Sequence, residues 1–335
     1  MNRSDDIPHD GITDVPGILV GHAQNYDAMT GVSVVMTETG AVGGIDIRGT
    51  AAGTRQVDSL SPLHVANTVH AVTLSGGSAF GLSASGGVLR YLEERGVGLD
   101  VFYARVPVVP SAIIFDLGIG NPAVRPDEEM GYRAAQSASA DGFSQGSVGA
   151  GCGASVGKLF GTGWAMKGGL GTASESIDGV IVGVLVVVNA FGDILDWETG
   201  SILAGTRDPE HPENLIDTAQ KIRLGFDRAM PPGQNTTLAV VATNVELPKS
   251  GVIKLAQMAQ SSLARVISPI HSTFDGDVVF ALSVRNPDGL KDDSVKAGIN
   301  TLALLGERAL FRAVKRAIVH ADGRGVVPSY QDMQT

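Results

Sequence analysis

Gln234-Asn235-Thr236-Thr237-Leu238-Ala-Val-Val-Ala-Thr243 follows the run Pro231-Pro-Gly233, and the chain changes character at one bond within it. Before that bond lie the more polar residues 205–234, the best candidate for an exposed linker. After it comes an unbroken β-favouring run, which predicts a strand starting at Thr236. A hydroxyl residue standing first in an apolar strand, directly after a loop, has two readings. It is an ordinary strand start, or it is a bond that breaks itself. In the second reading Thr236 Oγ attacks the Asn235 carbonyl, an N-to-O acyl shift follows, and water releases a chain beginning at Thr236. The α-amino group so formed sits beside its own hydroxyl. Its ordinary pKa of about 8 leaves a fraction neutral at pH 7, able to serve as general base.

Outward from this bond, strands and helices alternate irregularly. Short apolar runs at 31–36, 41–45, 70–74, 113–115, 180–188 and 278–284 read as strands, several of them bounded by Gly. Helices are expected over 78–95, 126–140, 250–266 and near 294–321, with 217–226 as a further candidate, and 146–171 reads as a Gly-rich passage. The order lacks the steady βαβα alternation of a doubly wound sheet and favours layered α/β with much antiparallel pairing.

Composition bounds the function. The chain has 335 residues, 44 of them Gly, with 43% hydrophobic and 18% charged residues, as expected for a compact globular protein rather than a disordered one. A net charge of −10 without a basic cluster argues against nucleic acid and anionic membrane as partners. The acidic start has no apolar stretch and no secretory signal is expected; with a single Cys, a reducing, cytoplasmic setting is expected.

Several motifs resemble known sites more than their context supports. Gly142-Phe-Ser144-Gln-Gly146 matches a nucleophile elbow but follows a small, polar run where a buried strand is needed, so a surface turn is expected. Gly149-Ala-Gly-Cys-Gly-Ala154 matches a dinucleotide loop, with Glu175 as the acidic partner, yet no βαβ frame surrounds it; Gly157-Lys158 lacks the rest of a phosphate loop. The seven His form no ligand pair, and the residues after Asp275-Gly276-Asp277 cannot continue a calcium loop, so neither metal nor cofactor is expected. The Asp275/Asp277 spacing can instead place two carboxylates on one side of a strand start, although Asp-Gly-Asp is also an ordinary turn.

Stretches along nearly the whole chain carry a resemblance: Thr13-Asp-Val-Pro-Gly-Ile-Leu-Val-Gly-His22, Gly49-Thr-Ala-Ala-Gly-Thr-Arg55, Leu74-Ser-Gly-Gly-Ser-Ala-Phe-Gly-Leu82, Val106-Pro-Val-Val-Pro-Ser-Ala-Ile-Ile-Phe-Asp-Leu117, Lys167-Gly-Gly-Leu-Gly-Thr-Ala-Ser174 and 235–243. Their order resembles the self-cleaving N-terminal-nucleophile amidases that include the L-aminopeptidase/D-Ala-esterases and β-peptidyl aminopeptidases. Within that family the sequence looks most like the nylon-oligomer hydrolases, which split at Asn-Thr and carry an Asp-x-Asp pair, here Asn235, Thr236, Asp275 and Asp277. The aminopeptidase branch splits before Ser and shows a Ser-x-Glu arrangement.

The resemblance implies an α/β fold, a four-layer αββα sandwich of two β layers flanked by helices. It implies one catalytic domain, processed into fragments 1–235 and 236–335 that assemble as heterodimers, commonly into tetramers of them. Small linear amide oligomers are the implied substrates, with short β-peptides or D-amino-acid amides and esters as the alternative. By the same resemblance Lys158 is the active-site lysine and Asn189, closing the 180–188 strand, the active-site asparagine. Thr236 would be nucleophile and its amine the base, Asp275 and Asp277 would orient them, Lys158 would help activate the hydroxyl, and Asn189 would donate to the oxyanion.

Overall fold

The computed structural model describes residues 8–141, 144–226, 235–284 and 296–334. Nine strands form one sheet: β1 (Leu19–Asn25), β2 (Thr30–Ile47), β3 (Thr54–Arg55), β4 (Val69–Ser75), β5 (Ser111–Ile113), β6 (Gly169–Ile177), β7 (Val180–Asn189), β8 (Thr236–Thr243) and β9 (Val278–Val284). The helices are α1 (Ala84–Glu94), α2 (Glu128–Gln136), α3 (Thr218–Arg223), α4 (Lys249–Leu263) and α5 (Ile299–Val319). Strand order is β6-β7-β8-β9-β2-β4-β5-β3, with β1 also on β2. Pairing is antiparallel except for β8 with β9 and β4 with β5.

The long strand β2 turns this path into two layers. Its first half pairs with β1 and β4, its second half with β9, and the register slips between Met36 and Ala41. Gly40 takes a φ of +82° there, a conformation a side chain resists. Strand alternation then sorts the side chains into three cores. Leu185 and Val187 of β7, Leu238 and Val240 of β8, and Phe280 of β9 meet Val35, Val72 and Leu74 from the other layer. The intervening residues Val184, Val186, Ala239, Val241 and Val279 face α4 and α5. On the opposite side Val32, Val34 and Ala71 face α1 and α2. Strands β7, β8 and β9 are therefore covered on both faces, which is why they read as continuous apolar runs. The result is the α/β four-layer sandwich expected from the resemblance.

Local differences have local causes. The runs at 31–36 and 41–45 belong to one bent strand, and the end of the Gly-rich passage, 169–171, opens a strand that continues to Ile177. The helix expected over 78–95 begins as a 3-10 segment, Ser78–Ser83, before α1. Extended structure near 113–115 is confined to Ser111–Ile113. Residues 227–234 of the linker, 142–143 of the Ser144 motif and 294–295 of the last helix lie outside the described residues. Among the described residues no helix is long and apolar enough to cross a membrane.

Candidate active site

Thr236 opens the central strand β8, and its neighbours on either side deliver the other candidates. The antiparallel register with β7 sets Asn189 directly opposite Thr236. On the other side Asn235 forms a parallel bridge with Asp275, two residues before Asp277 and the parallel strand β9. Lys158 arrives from the 157–161 turn, which is pinned to the chain after β7 by Gly157 N–H on Gly192 O and Lys158 N–H on Phe191 O. Gly157 has a φ of +69°, and a Cβ there would meet the Gly205 carbonyl carbon at 1.9 Å, so no larger residue fits this turn. Thus Asn235, Thr236, Asn189, Asp275, Asp277 and Lys158, spread over 120 positions of sequence from 158 to 277, meet at one end of two adjacent strands.

The bond itself is closely held. The Asn235 carbonyl oxygen accepts the Gly276 N–H at 3.0 Å and the Thr236 hydroxyl at 2.5 Å. Thr236 is only 2% exposed and Asn235 fully buried. Gly276 is itself fixed from behind, because a Cβ there would lie 2.5 Å from the Ala51 backbone. The Asn235 side chain donates to Phe274 O at 3.3 Å, while its Oδ1 is buried without a partner.

The two aspartates are anchored differently. Asp277 Oδ1 accepts the Thr237 N–H at 2.6 Å, and Oδ2 accepts the N–H of His271 at 3.2 Å and lies 2.8 Å from its ring Nδ1. Asp275 accepts from Ser272 N–H and Oγ at 3.0 and 2.5 Å, and from Phe191 N–H at 3.2 Å. Burial, joined by the charge of Asp277, pushes the Asp275 carboxyl up to about 6, against the pull of those donors. The Thr236 hydroxyl donates to neither carboxylate, since its hydrogen bond goes to Asn235 O.

Lys158 Nζ donates to the Asn189 side-chain oxygen at 2.8 Å and to its carbonyl at 3.1 Å. Burial drives its amine down to about 7, with the charges of Asp275 and Asp116 opposing the shift. Asn189 also accepts Ser155 N–H at 3.0 Å, and its Nδ2 donates to Phe115 O at 3.2 Å. That amide nitrogen has a second proton to offer to a developing oxyanion.

The sequence reading did not single out His271, Ser272, Gly276 N–H or Phe191 N–H. The first three lie on the same short segment as the Asp pair, and that proximity was the available signal; a backbone donor has no residue signature at all. The other motifs serve packing. A Cβ on Gly149 would strike Ser33 Oγ at 2.2 Å and one on Gly151 would strike Leu170 N at 2.4 Å, so these glycines admit the protein's own chain. Ser144 is exposed, away from any hydrogen-bonded base among the described residues. Nor do those residues hold three or more His, Cys, Asp or Glu grouped for a metal ion.

Comparison with known proteins places this geometry. Peptidase family S58 matches residues 10–326. A Mycobacterium leprae protein described as an uncharacterized aminopeptidase is 38% identical, covering 97% of this chain and 94% of its own. The 6-aminohexanoate-oligomer endohydrolase of Kocuria sp. is 33% identical, over 91% of this chain and 84% of its own. Among solved structures, the L-aminopeptidase D-Ala-esterase/amidase of Ochrobactrum anthropi, described as a variant of the Ntn hydrolase fold, matches with a TM-score of 0.71 at 17% identity. That match covers 96% of this chain and 89% of that one.

Proposed function

The chain belongs to peptidase family S58, and from that membership we propose an amide-bond hydrolase that splits its own Asn235–Thr236 bond and then uses Thr236 as an N-terminal nucleophile. The observation that carries this reading is the Asn235 carbonyl, polarised by the Gly276 N–H at 3.0 Å with the Thr236 hydroxyl 2.5 Å from its oxygen. In the self-cleaving step Asp275 or Lys158 takes the hydroxyl proton, and Oγ bonds to the Asn235 carbonyl carbon. Charge then builds on the oxygen that faces Gly276 N–H. The C–N bond breaks as nitrogen takes up a proton, and water hydrolyses the resulting ester to an Asn235 carboxylate and a free Thr236 amine. That amine then acts as base for attack on substrate, giving an acyl-enzyme that water or another amine releases. Asn189 would supply an N–H to the substrate oxyanion.

The proposed substrates are internal amide bonds of linear 6-aminohexanoate oligomers, supported by the relative of that name and by a threonine paired with Asp-x-Asp. A second reading, cleavage of short β-peptides or D-amino-acid amides and esters, is favoured by the aminopeptidase description of the 38% identical relative. The fragments 1–235 and 236–335 are proposed to stay in one domain and to assemble as a tetramer of heterodimers.

Intact mass of freshly purified protein under denaturing conditions tests the nucleophile. Two species of roughly 24 and 10 kDa by chain proportion, with Thr236 as the new N-terminus, are expected. Thr236→Ala should give one uncut chain, whereas Ser144→Ala should split and hydrolyse as the parent does. A wild-type chain that stays whole on long incubation removes the reading. Oligomers of 6-aminohexanoate assayed beside β-peptides and D-Ala amides separate the two substrate classes.

A further inference from the structure

His271 stands against the fully buried Asp277 with its own side chain 20% exposed. Its Nδ1 lies 2.8 Å from Asp277 Oδ2 and its Nε2 3.3 Å from the main-chain oxygen of Gln260 on α4. A neutral imidazole has a single N–H, so it satisfies one of these oxygens and sets a lone pair against the other. The carboxylate cannot reverse the first bond by donating. Asp277 already takes the His271 N–H at 3.2 Å on the same oxygen and the Thr237 N–H at 2.6 Å on the other, a set of donors that fits an acceptor-only group. Only a ring protonated on both nitrogens donates to both oxygens. The backbone is shaped for this contact: His271 adopts a φ of +56°, disfavoured for a residue with a side chain, while its main-chain N–H and its ring reach one oxygen. Gln260 closes the arrangement, its Nε2 donating to Asp277 O at 3.1 Å.

We propose that His271 is a positioning residue for the threonine nucleophile, clamped as an imidazolium between Asp277 and Gln260. Its charge offsets Asp277, one of two buried carboxylates only two residues apart, and keeps that carboxylate aimed at the Thr237 N–H. The first peptide of β8, from which Thr236 projects, is thereby fixed. Asp275 is left to balance Lys158 and the ammonium that self-cleavage creates. The inference rests on the Thr236 reading, and its test separates the two.

Protein labelled with 15N-histidine is examined by ring-nitrogen NMR at pH 7.5, with His271→Asn identifying the signal. Two protonated nitrogens on one ring, absent from the variant, are expected; a neutral ring at position 271 overturns the proposal. The unimolecular rate of self-cleavage supplies a second reading, measured on freshly made wild type, His271→Asn and His271→Ala. Asn keeps one donor towards Asp277 without the charge and Ala keeps neither. Ala should slow splitting by roughly ten- to a hundredfold, the span of one hydrogen bond to a charged group, with Asn between Ala and wild type and similar melting temperatures for both variants. Splitting at the wild-type rate in His271→Ala, or slowing that only tracks a lower melting temperature, overturns the positioning role. A wild-type chain that never splits sinks the Thr236 reading and this role with it, whereas a splitting wild type with a neutral ring sinks the His271 assignment alone.

Discussion

Around the start of β8, burial decides which charges the protein tolerates. It moves Lys158 down to about 7 and Lys167 to about 8, and it lifts Asp116 and Asp275 each to about 6. All four shift towards the neutral form, the form cheaper to keep from water. For Asp275 the raised value means that, between its ordinary 3.8 and about 6, the folded chain holds a proton the unfolded chain has lost. Its contribution to stability is thus present below that window and is lost as pH rises through it. On an uncut Thr236→Ala background, Asp275→Asn should therefore gain stability relative to its parent as pH is raised from about 4 to 7, as read by urea melts. With Thr236 intact, the same change should slow splitting by about a hundredfold or more, the scale of a lost acid–base group. Lys167 has a different part: its Nζ donates to the carbonyls of Gly151, Ala154 and Gly168 at 2.9, 2.9 and 2.7 Å, bracing the loop whose Ser155 N–H holds Asn189. Lys167→Met should cost roughly 3 kcal/mol or more, because buried acceptors are left unpaired, visible as a lower urea midpoint. At this scale the strand start and the Asp-x-Asp spacing brought Thr236 and the Asp pair forward, the resemblance added Lys158 and Asn189, and the fold sets the five side by side. Asp116 and Lys167 lay inside quoted motifs without a stated task, since burial, which gives them one, has no local spelling.

Elements met through glycine carry information that their sequences hide. Helix α5 rests directly on strand β6: a Cβ on Gly171 would lie 2.0 Å from Ala313 O and 2.6 Å from Ala317 N, and one on Gly169 2.3 Å from Ala317 O. Gly171→Ala must lift the helix and should destabilise by about 1–3 kcal/mol or more. Gly163→Ala, with nothing within 4 Å, should stay within about 0.5 kcal/mol; thermal melts compare the two. The same contact explains why β6 was unreadable as a strand, for its glycines answer to a helix more than 140 positions later. Strand β2 misled for a related reason. Glu38-Thr-Gly40 has the look of a turn, yet the chain stays extended because β4 holds one half and β9 the other. By contrast β7, β8 and β9 were legible, since burial on both faces leaves unbroken apolar runs.

Across the whole molecule the proposed fragments are interleaved. The second would contribute β8 and β9 to the middle of the sheet, between β7 and β2 of the first, together with α4 and α5. Split protein should accordingly run as a single particle in native size exclusion and separate into two chains only in strong denaturant. Either fragment alone would expose the core beneath α4 and α5, so their apparent stability is shared. The pairings Asn189↔Thr236 and Asn235↔Asp275 join three distant stretches at the one bond in question, and Gly276 N–H reaches the Asn235 carbonyl only when both are in register. Maturation would then act as an inspection of assembly: a chain with a slipped strand keeps its bond, and the enzyme switches on only the copies it has built correctly.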